Sequence, residues 1–301
     1  MSKTTVPAGG ITDGTLTSAK LDQDGAFTFN EGSADVDFRV ESNGKTHALF
    51  VDGGNDKVGI GIVAGVPDAM LHIQTDGAGQ APNAAADELC LEGSANVGMS
   101  ILSGNDSAGR IYFGDNGDDD IGQIRYNHDD NSLNFKVNAL ADAMKIDSTG
   151  AITKPLQPCF LGLNGGNDTV NNAADTTIAI DTEIFDLGGD VSSNTFTAPV
   201  TGKYFVHGAI SLDAGSSSNT RFKNVIMMLT CSNRKLKFGY NTIYTNEDDH
   251  MQINGSGVID MDANDTFNLQ VFASRQSGTG ATTTVGSSTD LRSGFGGYLL
   301  A

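Results

Sequence analysis

The chain has 301 residues, 38 of them glycine and none tryptophan, and 38% of its residues are hydrophobic, below the ~45–50% of an ordinary globular protein. Its 18 basic and 37 acidic residues give a formal net charge of -19. That balance excludes binding to nucleic acid or to an anionic membrane, because both need Lys and Arg to displace counterions. The length suits two domains rather than one large enzyme core, and association between copies is the physical remedy for so little apolar material.

The cysteines, Cys90, Cys159 and Cys231, lie at long, unrelated spacings without a Cys-x-x-Cys pair. They read as reduced and structural, in a protein made in a cytosol. The opening MSKTTVPAGG has no apolar core of a secretory signal, and no run reaches the ~18 apolar residues that span a bilayer. Residues 1–33 follow no helical or strand period: Ile11, Leu16 and Leu21 stand singly among Gly, Thr and Ser, as in a flexible terminus. The phrases ITDGT and TSAKL in this stretch resemble the N-terminal parts of tailed-bacteriophage fibre proteins. That resemblance implies a segment docking onto other virion proteins.

Residues 34–154 carry an internal repeat. FRVESNGKTHALFVDGGNDKVGI from Phe38 is echoed by FKVNALADAMKIDSTGAIT from Phe135. Each predicts a Phe-basic-Val strand, a second strand ending at Asp52 or Asp147, a glycine turn and a third short strand. GRIYFG from Gly109 and GQIRYN from Gly122 form a second echo. Alternation puts Ile111 with Phe113, Ile124 with Tyr126, and Leu133 with Phe135 and Val137 on one face of each strand. A hairpin is marginal alone in water, no helical pattern covers these faces, and three copies around one axis would. Phe38 and Phe135 are accordingly trimer-interface candidates.

VGIG, Pro67 and LHI at Leu71–Ile73, together with the stretch from Gly109 to Phe135, resemble the shaft repeats of tail fibres and spikes of tailed phages, marine ones especially. The resemblance implies a trimeric shaft. Nothing resembles a self-cleaving chaperone domain, so autoproteolysis is not expected. The KPLQP run at 154–158 is read as the linker.

Residues 155–301 read as a β-rich head. FTAPVTGKYFVH from Phe196, VIDMDANDTFNLQVFA from Val258 and the closing RSGFGGYLLA resemble the head of the complement recognition protein and tumour necrosis factor family, a jelly roll. Phe196, Gly202, Tyr204, Phe295, Gly297, Tyr298, Leu299 and Leu300 carry the likeness. The middle segment is expected to be a hairpin with Asn264-Asp265 where the family usually has Gly-Asp. The resemblance implies Tyr204, Phe295 and Tyr298 as further interface residues. The loops 213–220, 244–251 and 274–290 are polar and suited to recognition, with Tyr244, Asp248, Asp249 and His250 as receptor-binding candidates.

Signals of other chemistry are weak. Gly59-Ile-Gly61 lacks the helix that a dinucleotide fingerprint requires. Asp260, Asp262 and Asn264 open like a calcium loop, but Val271 stands where its bidentate Glu belongs. Calcium between acidic turns (Asp52, Asn55 and Asp56, or Asp115 with Asp118 to Asp120) competes with the plainer reading of solvated turns. The five histidines show no metalloprotease spacing, there is no Gly-x-Ser-x-Gly elbow, and His207 is expected to be a core or interface residue. No catalytic residue, cofactor or metal is therefore expected.

The sequence thus predicts an all-β protein: a docking segment (1–33), an elongated trimeric β shaft of hairpin repeats (34–154) and a jelly-roll β-sandwich head (155–301). The expected role is attachment of a tailed phage to a host glycan or protein, from the virion surface. The alternatives are a head fibre or capsid decoration protein, and a polysaccharide depolymerase spike.

Overall fold

The computed structural model describes residues 35–63, 65–138, 141–165, 168–214, 222–239, 250–275, 282–286 and 292–301. Among them the protein is all-β, with no helix. It divides into two compact units, Met1–Ser100 and Ile101–Ala301.

In the first unit β1 (Phe38–Val40), β2 (His47–Asp52), β3 (Lys57–Ile62), β4 (Leu71–Gln74) and β5 (Leu89–Glu92) form one sheet in chain order. The first three strands are antiparallel, whereas β3, β4 and β5 run parallel. The antiparallel turn after β2 is made by Asp52, whose carboxylate accepts the N–H groups of Gly54 and Asn55. This is the Asx turn, which lets a short polar side chain replace backbone partners. The parallel step needs a crossover, and residues 63–70 supply it by burying Pro67 and Ala69 over one face of the sheet.

The second unit begins with an antiparallel meander: β6 (Ala108–Phe113), β7 (Gly122–Asn127), β8 (Ser132–Lys136), β9 (Asp142–Ile146) and β10 (Ile152–Thr153). The predicted repeat is visible here. β8 to β10 reproduce β1 to β3, and Asp147 makes the turn that Asp52 makes, accepting N–H groups from Thr149 and Ala151. The two echoed strands, β6 and β7, pair with each other, Ile111 opposite Ile124.

The rest is a two-sheet jelly-roll sandwich. Its strands are β11 (Cys159–Leu163), β12 (Thr169–Val170), β13 (Ala174–Thr177), β14 (Thr182–Leu187), β15 (Val191–Ser192), β16 (Thr195–Thr197), β17 (Gly202–Asp213), β18 (Phe222–Cys231), β19 (Lys235–Phe238), β20 (His250–Met261), β21 (Thr266–Arg275), β22 (Thr282–Thr284) and β23 (Gly294–Leu299). One sheet has the order β12-β22-β17-β23-β11-β14, with β20 also paired to β17. The other has the order β15-β16-β21-β18-β19, with β13 also paired to β21.

Rings from both sheets fill the space between them. Phe160 stacks on Phe196 at 4.4 Å and meets Phe295 edge-on at 5.6 Å, while Phe267 and Phe295 lie 5.3 Å apart. Tyr204 packs against Phe196, and its hydroxyl donates to the Val200 carbonyl at 2.8 Å, so the one polar atom of a buried ring is satisfied.

Two expectations are corrected by this arrangement. Tyr204 and Phe295 are 0% exposed within a single chain; they hold the two sheets together and have no surface to offer a partner. The segment from Val258 to Ala273 is not a hairpin, because β20 pairs in one sheet and β21 in the other. Its acidic turn is a corner between sheets. Asn264 turns the chain with φ 74°, and the Asp265 carboxylate accepts from Asp262 N–H, Ser232 Oγ and Asn233 Nδ2. The bonds from Asp262 N–H and then Ser232 hold Asp265 below the usual carboxylate range.

Candidate interaction surfaces

Each of three sheets has one face that the described chain leaves open. In the first unit, strand register lines up Phe38, Val51, Val58, Leu71 and Leu89 across all five strands, and beside them Val40, Leu49, Ile60, Ile73 and Leu91. Ten apolar side chains thus share one face. Five of them are well exposed, from 37% for Leu49 and Val51 to 50% for Leu89. The opposite face is the one that the crossover covers, and there Phe50 and Ile62 are buried.

The meander is just as one-sided. Ile111, Ile124, Phe135 and Met144 form one cross-strand row; Tyr126, Leu133, Ile146 and Ile152 form the next. Ile111, Phe113, Tyr126 and Ile152 are exposed, and a groove of about 220 Å³ runs between Ile101, Ile124, Tyr126 and Leu133. The other face is polar and internally paired. Asp142 takes two bonds from Arg125, at 3.1 and 3.0 Å, and Lys145 donates to Asp130 at 2.7 Å. The Lys145 ammonium and the Ser132 hydroxyl pull Asp130 down to about 2. The predicted alternation therefore holds for Ile111, Ile124, Leu133 and Phe135, while Val137 lies beyond the end of β8.

The third face is the outside of the seven-stranded sheet. Val258, Phe205, Tyr298, Cys159 and Leu187 make one row, with Ser256, His207, Gly296, Leu161 and Phe185 next to it. Phe185, Leu187, Val258 and Tyr298 are exposed, from 37% to 51%. The rings of Phe205 and Tyr298 lie 5.3 Å apart. Contiguous apolar surface of this kind is unusual on a monomer and marks a contact surface.

Of the interface candidates, Phe38, Phe135 and Tyr298 therefore lie on open faces, the two phenylalanines half-buried. Sequence reasoning missed Phe205, Leu161, Phe185, Leu187 and Val258, although period-2 alternation along β17 and β23 carries the signal for the first. Of the receptor-binding candidates, Tyr244, Asp248 and Asp249 lie outside the described residues. His250 opens β20, exposed, with Nε2 3.3 Å from the Asp213 carboxylate at the end of β17.

Among the described residues the acidic turns use their carboxylates within the chain. Asp52 spends its carboxylate on Gly54, Asn55 and the Asn55 side chain, and Asp115 on the N–H groups of Gly117 and Asp118. Asp118, Asp119 and Asp120 converge on the surface, where Asp120 also accepts from Gln123 and lies 3.6 Å from Lys136. Asp68, His72 and Glu92 converge within 4.8 Å, in the unit where His72 is 1% exposed. His72 Nδ1 accepts the backbone N–H of Asp68 at 3.2 Å, which leaves the proton of the neutral ring on Nε2, 2.8 Å from the Glu92 carboxylate. A metal on Nε2 would require that proton on Nδ1, where a metal-bound histidine normally donates and where this one meets a donor. The residues suit a buried His–Glu pair better than a metal. The Ala78 N–H, followed by Gln74 and His72, holds Glu92 below its ordinary range against the opposing effect of burial.

No protein-family model matches this sequence, and neither does any curated protein sequence. Among solved structures, the chain is similar to the globular domain of zebrafish complement 1qA protein, at 17% identity over 48% of this chain and 98% of that one, with a TM-score of 0.32. It is similar also to murine APRIL, at 9% identity over 48% of this chain and 99% of that one (TM-score 0.31). A third is Eiger TNF from S. frugiperda, at 16% identity over 48% and 92% (TM-score 0.32).

Proposed function

We propose that this chain is a non-catalytic structural protein of a tailed phage: a homotrimeric fibre or spike at the virion surface that attaches to the host through its sandwich head. In this reading residues 1–33 dock onto other virion proteins, 34–154 form the shaft and 155–301 the head. The observation that carries it is the open apolar face on each of three sheets, in a chain whose composition already calls for association. Self-association covers such faces, and three heads on one assembly raise a weak affinity for a surface glycan or protein by about 10²–10⁴. The polar loops are where that recognition belongs, with Tyr244 offering a ring for stacking.

The test is adsorption. Purified full-length chain, added to host cells before the phage that carries it, should slow phage adsorption. Tyr244→Ala and Asp248→Lys should weaken that competition while leaving the assembly intact. Full-length chain that neither bound cells nor slowed adsorption would favour the decoration-protein reading.

A further inference from the structure

We infer that His207 makes self-association pH-sensitive: the outer face of the seven-stranded sheet closes against a second copy only while this imidazole is neutral. The inference rests on the proposed association and adds a chemical condition to it.

His207 sits inside the apolar face, not at its rim. Ser256 flanks it on β20, and Gly296 on β23. The ring lies over Gly296, where an added Cβ would come within 2.8 Å of Nε2 and within 2.8 Å of the Phe160 carbonyl oxygen. Glycine is what leaves room for the ring. His207 is already half-buried, with Phe205 at 6.3 Å, and desolvation holds it below the ordinary histidine value.

Among the described residues the strands around it offer no counter-charge, and Lys154, which lines a hollow with Cys159, Leu187 and Tyr298, is itself a cation. From β20 come Ser256 and Val258, from β23 Gly296 and Tyr298, from β11 Leu161 and Cys159, and from β14 Phe185 and Leu187. The Cys159 thiol is itself pushed up by burial. On β14, Asp186 accepts the Val191 N–H, and Glu183 lies beyond the bulge, three strands away. Along β17 the nearest charge is Lys203, four residues or about 13 Å distant. Opposite Lys203, Asp260 is paired with Arg234 at 2.8 Å. Asp213, six residues the other way, faces His250. Such separations exceed the Debye length of about 8 Å at physiological salt.

A second copy laid on this face removes the remaining water from the ring, so an imidazolium there would lose hydration and gain no partner. The assembled state therefore favours the neutral ring. Association is at full strength above the free chain's pKa and weakens as pH falls below it, by up to about tenfold per pH unit for each histidine, or about 10³-fold for three. The bulk charge acts with the opposite sign: in a chain at -19, acidification relieves repulsion and by itself tightens association. Weakening on mild acidification is thus a specific signature.

Sedimentation velocity of the full chain at about pH 7.5, 5.5 and 4.5, at fixed ionic strength, tests this across the histidine range and below it, where a ring held under its ordinary value titrates. Wild type should associate at the highest pH and progressively more weakly once the pH passes below the free ring's value, by up to about tenfold per further unit for each histidine. His207→Phe, or His207→Leu should the larger ring not fit over Gly296, should associate at the lower pH at least as tightly as at the higher, because only the bulk charge then responds. Wild type indifferent to pH overturns the inference, as do variants that weaken as wild type does. A wild type that is monomeric at the highest pH overturns the self-association reading itself, and the inference with it.

Discussion

Replacing Phe135 by Asp perturbs the centre of one open face. Phe135 lies between Ile124 on β7 and Met144 on β9, more than half buried in the single chain, and the remainder of its ring is what burial between copies can add. That remainder is worth up to about 1 kcal/mol per ring, hence up to about 3 kcal/mol for a trimer, and the desolvation of three carboxylates is added to it. At about 1.4 kcal/mol per factor of ten, loss of the rings alone lowers the assembly constant by up to about 10²-fold, and the carboxylates lower it further. Sedimentation should find Phe135→Asp monomeric, and circular dichroism should find its strands intact. Asn131→Asp is the control. Asn131 sits in a turn at φ 51° and accepts from the Tyr126 hydroxyl at 3.4 Å, which a carboxylate also does, so this variant should assemble like wild type. A Phe135→Asp chain that assembled normally would refute the argument from register.

Three further outcomes follow from single contacts. Tyr204→Phe removes the hydroxyl bond to Val200 and should cost about 0.5–1.5 kcal/mol in denaturant unfolding. Asp130 is depressed to about 2, so its contribution is present above the unfolded carboxylate value of about 3.9 and is lost as pH falls through about 2. Carboxyl NMR titration should find that low value, and Lys145→Ala should raise it. Zinc or a chelator should leave the melting temperature unchanged, because Asp68 N–H occupies His72 Nδ1 and so leaves the neutral ring's proton on Nε2, the atom a metal would have to take; a rise with zinc would reverse that assignment.

The repeat was legible because local chemistry writes it: Asp52 and Asp147 close equivalent turns with their own side chains. The alternation of Ile111, Ile124, Leu133 and Phe135 was legible for the same reason, one polar neighbour at a time. On β17 alternation alone does not choose the inward face. Tyr204 and Val206 on one face and Phe205 and His207 on the other are both compatible with a core, and only the second sheet decides that Tyr204 points inward. Parallel pairing of β3, β4 and β5 left no local mark either, so the meeting of His72 with Glu92 across it was invisible. The Asn264 turn was read correctly as a turn and wrongly as a hairpin, since one reversal of the chain serves both a hairpin and a corner between sheets.

The central claim is that the open faces are buried between copies of this chain. Sedimentation equilibrium of the full chain at physiological salt and neutral pH measures that directly. The expected mass is about 94 kDa, three times the 31.3 kDa of one chain, and a stable species of 31.3 kDa at micromolar concentration would contradict the claim.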